Sequence, residues 1–352
     1  MKSFVSGTAK RLTGKRLVVT MLICLAIAVV VAAFSLLTGI VMGRDGRRFE
    51  LLGLDAFDSS SPDHVVLMLR MPRVFAALLV GGALAGAGCA LQALLRNPLA
   101  EPFTLGISSG SSLAAVIGIR VGIETQLGDV GIGTAALGGA VVTLLVVWRL
   151  ATIGNQLPAA TLVLAGVTVS MWCSAASLLV QYTSDFSDVS HMLRWMMGSL
   201  DSMRMQSVIY ALVPILLGIV VLIAYARELD ALAAGPEAAA SVGVAVARTQ
   251  VIVFGVASLL VGAAIALAGP IGFVGLIVPH ALRAILGPSH RLLVPASVLG
   301  GAVLLALCDG LARMAIAPAE LPTGAVTAVL GGPFFVLILV SQKRKAAMWG
   351  RG

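Results

Sequence analysis

The residues that most often carry chemistry do not form a catalytic pattern in this chain. The four histidines are far apart, and none belongs to the HExxH arrangement that binds zinc in metalloproteases. The four cysteines lie in apolar stretches without CxxC or Cys/His spacing, so we interpret them as small buried residues. The sequence therefore predicts neither a membrane enzyme nor a resident metal or cofactor. The residues concerned are His64, His191, His280 and His290, and Cys24, Cys89, Cys173 and Cys308.

The nearest approach to a phosphate-binding loop is the segment from Ala9 to Arg16. It contains Gly14-Lys15, but it lacks the first glycine and the magnesium-binding hydroxyl of the G-x-x-x-x-G-K-[ST] pattern. Such a loop holds nucleotide phosphates with its backbone N–H groups, and no predicted strand precedes this segment. We therefore expect any ATP, with its Mg²⁺, to be bound and hydrolysed by a partner subunit.

One pair of opposite charges lies within an apolar stretch. Asp309 and Arg313 are four residues apart, which places them one turn apart on a helix. Ionisable residues inside a membrane helix are the sites that proton- or sodium-coupled carriers use. We interpret the pair as self-neutralised and near the outer end of its helix, and an ion-coupled secondary carrier remains the alternative of another class.

These residues belong to a strongly apolar chain. Of its 352 residues, 59% are hydrophobic and 11% are charged, whereas soluble domains carry about a quarter charged residues. Apolar runs of about 20 residues, long enough to cross a bilayer, recur along the whole sequence. The fold class predicted is all-α, a polytopic membrane protein in which residues 1–352 form a single transmembrane domain with a cytoplasmic tail at 1–16. The ten predicted spans are about 17–42, 65–94, 106–121, 127–150, 160–182, 207–226, 249–268, 273–286, 292–316 and 324–341.

The distribution of charge predicts the orientation. An even number of spans places both termini on one side, and basic residues concentrate on the cytoplasmic side of membrane proteins. Only four of the 16 acidic residues fall on the side that carries the termini, together with most of the 24 Lys and Arg residues. This predicts that both termini lie inside, with the outer stretch 44–48 as a local exception. The net charge of +8 thus reflects topology, and we predict no nucleic-acid partner.

Three stretches differ from generic membrane sequence. The first, 70–110, contains Arg-Met-Pro-Arg, a Gly/Ala run and Asn-Pro-Leu-Ala-Glu-Pro. The second, 269–291, contains Gly-Pro-Ile-Gly-Phe-Val-Gly and Pro-His, and the third, 309–334, contains Asp-Gly-Leu-Ala-Arg and Leu-Gly-Gly-Pro-Phe. In this order and with ten spans, they resemble the FecCD-type permeases of type II ABC importers for ferric siderophores, haem and vitamin B12. The resemblance covers nearly the full length.

That resemblance implies an assembly as well as a fold. It implies a homodimeric pore in the lipid of the bacterial inner (cytoplasmic) membrane. It also implies two copies of a cytoplasmic ABC ATPase and one periplasmic substrate-binding protein. A closed twofold is the commonest symmetry of oligomers, which agrees with a homodimer.

The predicted translocation core combines two helix-breaking stretches. Asn97-Pro98 and Glu101-Pro102 predict a break at the cytoplasmic surface, because proline removes a backbone donor and disfavours helix before it. A structural turn and a direct role in transport both remain open for this stretch. The apolar stretch 269–280 is interrupted by Gly and Pro, as in broken helices that line protein or water, and the resemblance places it near the dimer axis. The candidate residues are Asn97, Pro98, Gly269, Gly272, Gly275, Pro279 and His280.

The longest predicted inner loop, 227–248, contains a short helix signal. Proline starts it, an acid follows, and glycine ends it. A surface helix in a connector is the simplest interpretation. The resemblance implies instead a coupling helix of the EAA type, which docks in a cleft of the ATPase. Its residues are Glu237, Ala238, Ala239 and Gly243.

Three arginines lie at predicted outer helix ends, at Arg70, Arg73 and Arg313. Arginines there can anchor at lipid headgroups. In the family that the chain resembles, arginines at matching positions pair with glutamates of the binding protein, and a guanidinium is suited to carboxylate docking. We therefore predict that these three dock the binding protein.

The cargo is the least constrained part of the prediction. The segment 192–205 is methionine-rich, and a thioether can ligate haem iron, although methionine more often adapts to irregular packing. With few aromatic residues and no acidic cage, the passage is expected to bind cargo weakly, which leaves specificity to the binding protein. The expected cargo is haem or a ferric siderophore, with cobalamin as the alternative within the family.

Overall fold

The helices of this chain are arranged around one buried central helix. The computed structural model describes residues 14–43, 46–52, 56, 58, 61–123, 125, 129–154, 156–201, 203–316 and 319–349. These ranges contain thirteen α-helices, a 3₁₀ turn and one two-stranded hairpin. The predicted all-α class is confirmed. Apart from residues 14–16, the predicted N-terminal tail lies outside the described residues.

The elements follow one another in a simple order. The helices are α1 (Gly14–Leu37), α2 (Pro62–Leu94), α3 (Ile107–Arg120), α4 (Asp129–Ala151), α5 (Ala159–Tyr182), α6 (Phe186–Met196), α7 (Met205–Ala224), α8 (Ala226–Ala234), α9 (Pro236–Ser241), α10 (Val246–Ala268), α11 (Val274–Leu286), α12 (His290–Ala315) and α13 (Thr323–Trp349). The strands are β1 (Thr38–Gly43) and β2 (Gly46–Leu51), and the 3₁₀ turn is Pro102–Leu105.

Each predicted span contains one of these helices. Seven of the helices are long and apolar enough to cross a membrane, namely α1, α2, α4, α5, α7, α10 and α12. Helices α3 and α11 have only 14 and 13 residues, and the apolar part of α13 is Thr323–Ile338. The other three helices, α6, α8 and α9, lie between the predicted spans.

The first predicted span is too long at its end. We predicted 17–42, but α1 ends at Leu37 and the chain continues as β1, which pairs antiparallel with β2. The Thr38 hydroxyl donates to the Phe34 carbonyl over 2.6 Å at this boundary. Glycine and β-branched residues follow, and they favour strand over helix. Hydropathy alone cannot distinguish an apolar strand from the last turn of an apolar helix.

Helix α2 is the centre of the bundle. Its most apolar stretch is 83% buried, whereas that of α1 is 6% buried. It packs against α7, α10, α11 and, over its greatest length, α12. Gly81 and Gly301 allow α2 and α12 to touch backbone to backbone, because a Cβ at Gly81 would lie 2.2 Å from the Gly301 carbonyl oxygen. Small residues of this kind let helices approach closely in lipid.

Replacing Gly81 by alanine is expected to separate α2 from α12. Overpacking of this kind costs about 1–3 kcal/mol. The free energy of unfolding, measured by denaturant titration of the purified protein in mixed micelles, should fall by that amount. Gly310→Ala on α12 is the matched control, since a Cβ there meets no atom within 4 Å. Equal stability of the two variants would contradict the proposed close packing.

Candidate functional site

A buried cluster of charges joins three elements at the predicted outer end of the bundle. Arg73 of α2 donates through Nε to both carboxylate oxygens of Asp309 on α12, at 2.9 and 3.0 Å. Its Nη1 donates to Glu320, and the Thr323 hydroxyl donates to Asp309 over 3.1 Å. Asp309 is completely buried, and a buried carboxylate is tolerated only when it is paired and hydrogen-bonded. We call this cluster the outer network: Arg73, Asp309, Arg313, Glu320 and Thr323.

Two of the three arginines predicted to dock the binding protein, Arg73 and Arg313, are largely buried. The side chains of both are only 9% exposed. The predicted Asp309–Arg313 pair does form, with 3.3 Å between Nε and Oδ2, but Arg73 shares the same carboxylate. Sequence spacing could not reveal Arg73 as a partner because it is 236 residues away from Asp309.

The hairpin end of α1 completes the surroundings of these arginines. Arg313 Nη2 donates to the carbonyl oxygen and the hydroxyl of Ser35, at 2.9 and 2.8 Å. Arg70 Nη1 donates to the carbonyl oxygen of Leu36 over 3.3 Å. The guanidinium groups are thus held by backbone and acids of the same chain, which fixes their positions. Glu320 is the more accessible member of the outer network, with a side chain 40% exposed.

The predicted break at 269–280 is present and is stabilised by an unexpected acid. Phe273 caps α11 in the left-handed conformation (φ 69°), and its N–H donates to the Glu101 carboxylate. Gly275 allows the close approach behind it, because a Cβ there would lie 2.8 Å from the Leu84 carbonyl oxygen and 3.0 Å from Pro102. A Cβ at Gly272 would lie 3.7 Å from the Glu101 carboxylate. The 97–105 segment therefore folds against the start of α11.

Two candidate pathway residues meet on the far side of this break. His280 of α11 lies beside the backbone of Pro98, so the structure brings the Asn97-Pro98 turn to the broken helix. The Asn97 side chain accepts from the Leu99 N–H over 3.0 Å, which shapes the turn. Pro279, also a candidate, is buried within α11.

Sequence reasoning missed three polar residues at this junction. Arg283 Nη1 donates to the Gln92 side chain over 2.8 Å, which links α11 to α2. Glu101 is the third, and only its place in a proline-rich turn drew attention to it. A polar residue within a predicted span is the signal that could have identified Gln92 and Arg283.

Gly269, the last candidate of the core, lies in a second junction. It follows α10 with φ 68°, and a Cβ there would lie 2.6 Å from the Trp195 carbonyl oxygen. Gly198 (φ 66°) lies beside it, and the Gly324 N–H donates to the Gly198 carbonyl over 2.9 Å. The ends of α6, α10 and α13 meet here, and only residues without a Cβ allow this approach.

A cavity of about 730 Å³ opens beside this second junction. Helices α4, α6, α7 and α10 border it, and its lining mixes apolar with charged side chains. Of the methionines in the segment 192–205, Met197 and Met203 line the cavity. Met192 is completely buried, and the Met196 sulfur lies 3.4 Å from the Gln181 amide. Packing therefore accounts for these last two.

The short helix predicted within the loop 227–248 is present as α9. Gly235 (φ 119°) precedes it, Pro236 starts it and Gly243 (φ 84°) follows it. Glu237, Ala238 and Gly243 are exposed, whereas Ala239 is completely buried. Ala239 thus anchors α9 to the bundle and is not available as a contact for a partner, which corrects that part of the prediction.

The neighbouring helix α8 is tied to the start of α12. The Asp230 carboxylate accepts from the His290 N–H (2.6 Å) and from the Ser289 hydroxyl (3.2 Å), and it lies 2.8 Å from His290 Nδ1. We call these three residues the inner clamp. Burial raises the pKa of Asp230, but the hydrogen bonds from His290 and Ser289 outweigh it and hold the pKa below its ordinary value. The clamp therefore adds stability above the unfolded-state pKa, and this stability is lost as the pH falls through the folded-state pKa.

The fold and these sites define a class of protein. The polar residues described above stabilise broken helices and helix ends. Within the described ranges, no group of His, Cys, Asp or Glu is placed to hold a metal. The class defined is therefore a bundle of apolar, membrane-spanning helices with a short exposed helix between its spans. The model of the FecCD transport family matches residues 16–341, so the chain belongs to that family.

Curated relatives and a solved structure agree with this assignment. The cobalamin import permease BtuC of Halobacterium salinarum is 39% identical over 282 residues, 80% of this chain and 75% of the relative. The hemin transport permease HmuU of Yersinia pestis is 37% identical over 284 residues, 80% and 85% of the two chains. A solved ABC transporter, provisionally assigned to the metal-chelate type and inward-facing, matches with a TM-score of 0.80 and 30% identity over 92% of this chain and 99% of the other. The chain is a multi-pass inner-membrane permease of a type II ABC importer.

Proposed function

We propose that this permease imports haem or a ferric siderophore from the periplasm to the cytoplasm. The hemin transport relative and the metal-chelate type of the solved structure support this cargo class. Relatives named for cobalamin make cobalamin the alternative within the family. The whole chain, 1–352, acts as one transmembrane domain with both termini inside.

The observation that carries the proposal of ATP-driven import is the exposed helix α9. Its start and end are set by glycines at positive φ, Ala239 anchors it, and Glu237, Ala238 and Gly243 face outward. A short, fixed and exposed helix of this kind suits docking in the cleft of a cytoplasmic ABC ATPase. Two copies of that ATPase bind and hydrolyse ATP with Mg²⁺, and the permease itself carries no cofactor.

The periplasmic binding protein docks at the outer network. Arg73 Nη2 is buried without a hydrogen-bond partner, while Nη1 is bound to the accessible Glu320. Because Arg73 and Arg313 are largely buried, carboxylates of the binding protein would reach these guanidinium groups only by displacing the accessible Glu320, with Arg70 alongside. The internal acids hold the arginines in place, so docking needs little ordering of side chains.

Two copies of the permease form the pathway. Helix α5 is compatible with this arrangement, since the large apolar side chains that remain exposed along it are available to a second copy or to lipid. The cargo passes through a weakly binding lumen bordered by the junctions at Gly269, Gly272 and Gly275, and the binding protein selects it. The exposed residues on α5 include Leu164, Met171, Trp172, Leu178 and Leu179.

An ion-coupled secondary carrier is the second candidate, and the outer network weighs against it. Asp309 was its best coupling site, yet this carboxylate is bound to Arg73 and lies next to Arg313. A carboxylate that is held by two guanidinium groups and a hydroxyl is suited to a structural ion pair and not to a proton relay.

Reconstitution tests the proposal. The permease, its partner ATPase and its binding protein would be placed in proteoliposomes with haem, ferric siderophores and cobalamin offered in parallel. We expect vanadate-sensitive, ATP-dependent uptake of haem or a ferric siderophore that persists when an ionophore abolishes ion gradients. Uptake of cobalamin alone would show that cobalamin is the cargo. Uptake that collapses with the ionophore but continues after ATP depletion would show that the protein is an ion-coupled carrier.

A further inference from the structure

Helix α12 connects two polar sites at opposite ends of the bundle. Its first residue, His290, belongs to the inner clamp, and Asp309, near its other end, belongs to the outer network. The helix has 26 residues, so it spans about 39 Å at 1.5 Å per residue. It is therefore long enough to join the two faces of a bilayer.

The inner end of α12 is fixed by groups that leave little freedom. Asp230 binds both the backbone N–H and the ring of His290, and it accepts from Ser289 as well. His290 is 3% exposed, whereas the Asp230 side chain is 34% exposed, so the histidine end of these bonds is shielded from water and the carboxylate end is partly accessible. A displacement of α8 must therefore move the start of α12 or break these bonds.

The middle and outer end of α12 move with α2. The contact of Gly81 with Gly301 leaves no gap in which one helix could shift without the other. Further along, Arg73 of α2 binds Asp309 of α12, and Thr323 at the start of α13 binds the same carboxylate. Close-packed helices of this kind transmit a displacement of one helix to the other.

We propose that Asp230 and His290 are positioning residues that transmit the movement of α8 and α9 through α12 to the outer network. This inference rests on the proposed function, in which an ATPase displaces α9. The inner clamp turns that displacement into motion of the α2–α12 pair. The outer network then shifts relative to the bound binding protein.

Asp230→Asn and His290→Ala test this role in the reconstituted complex. Each variant should lower cargo uptake per ATP hydrolysed at least tenfold, while basal ATP hydrolysis and assembly of the complex remain within twofold of wild type. The double variant should be no worse than either single variant, because the two residues act as one unit. Asp230→Glu, which keeps the charge, should restore part of the uptake.

A spin label reports the movement itself. With the native cysteines replaced by serine, Ile316→Cys places a label just beyond α12, at a residue that is 46% exposed. The distance between the two copies of the label should change on addition of ATP and vanadate in the otherwise wild-type complex and stay constant with Asp230→Asn. Arg291→Gln, an exposed neighbour of His290, is the matched control and should behave as wild type.

The outcomes separate the inference from the function on which it rests. ATP-driven uptake that is unchanged in both clamp variants would overturn the inference and leave the proposed function intact. A parallel loss of stability, assembly and basal hydrolysis in Asp230→Asn and Asp230→Glu would show that the inner clamp is only a structural contact, which would also overturn the inference. Absence of ATP-driven uptake in the wild-type complex would reject the proposed function and the inference together.

Discussion

Replacing Asp309 by asparagine is expected to lower the free energy of unfolding by about 3–5 kcal/mol. The substitution keeps the size of the side chain but leaves two largely buried guanidinium groups, those of Arg73 and Arg313, without their shared charge. Removing one partner of a buried ion pair costs more than the pair contributes, because the remaining charge stays desolvated. Denaturant titration of the purified permease, followed by circular dichroism, measures this change.

Asp188→Asn is the matched control for this prediction. Asp188 lies 3.7 Å from Arg120, and both side chains are substantially exposed. An exposed pair of this kind contributes about 0–1 kcal/mol. If Asp309→Asn costs no more than Asp188→Asn, the outer network does not hold α2 and α12 together.

Replacing Glu237 by arginine or Gly243 by valine is expected to uncouple ATP hydrolysis from transport. Both residues are exposed on and just after α9, and the φ of 84° at Gly243 is strained for any residue with a Cβ, above all a β-branched one. The charge reversal alters the docking face, and the valine displaces the end of the helix. We expect uptake per ATP to fall at least tenfold in proteoliposomes, with the ATPase still active.

The control separates coupling from backbone strain. Gly122 also has a positive φ (69°), but it follows α3, far along the chain from α9. Gly122→Val imposes similar strain and should leave the ratio of uptake to hydrolysis unchanged. A normal ratio of uptake to ATP hydrolysis in Glu237→Arg and Gly243→Val would show that α9 takes no part in coupling.

Hydropathy and Gly/Pro punctuation predicted the helices well because lipid imposes strict requirements. Each predicted span contains a helix, and the breaks at Pro98 and Gly269 were also correctly located. The membrane requires apolar runs of defined length, and proline and glycine interrupt them for local steric reasons. The first strand of the hairpin, Thr38–Gly43, is the exception, since it is an apolar run that hydropathy cannot distinguish from helix.

The partners of the charged residues could not be predicted in the same way. Arg73 and Asp309 are 236 residues apart, and Glu101 meets Phe273 across 172 residues. Local spacing identified Arg313 as a partner of Asp309, but it could not identify the stronger contact from α2. For the same reason, three arginines that seemed available to a binding protein proved to be largely engaged within the chain.

The break before α11 has a consequence for how the chain enters the membrane. With 13 residues α11 is about 20 Å long, which is short of the roughly 30 Å of a bilayer's hydrocarbon core. Its first turn exposes backbone donors that lipid cannot satisfy, and Glu101, already synthesised, satisfies one of them. During biogenesis, α11 would therefore not partition into lipid as an independent span. It must settle against helices that are already inserted, so we expect α11 to take its place only after the Glu101 turn has formed.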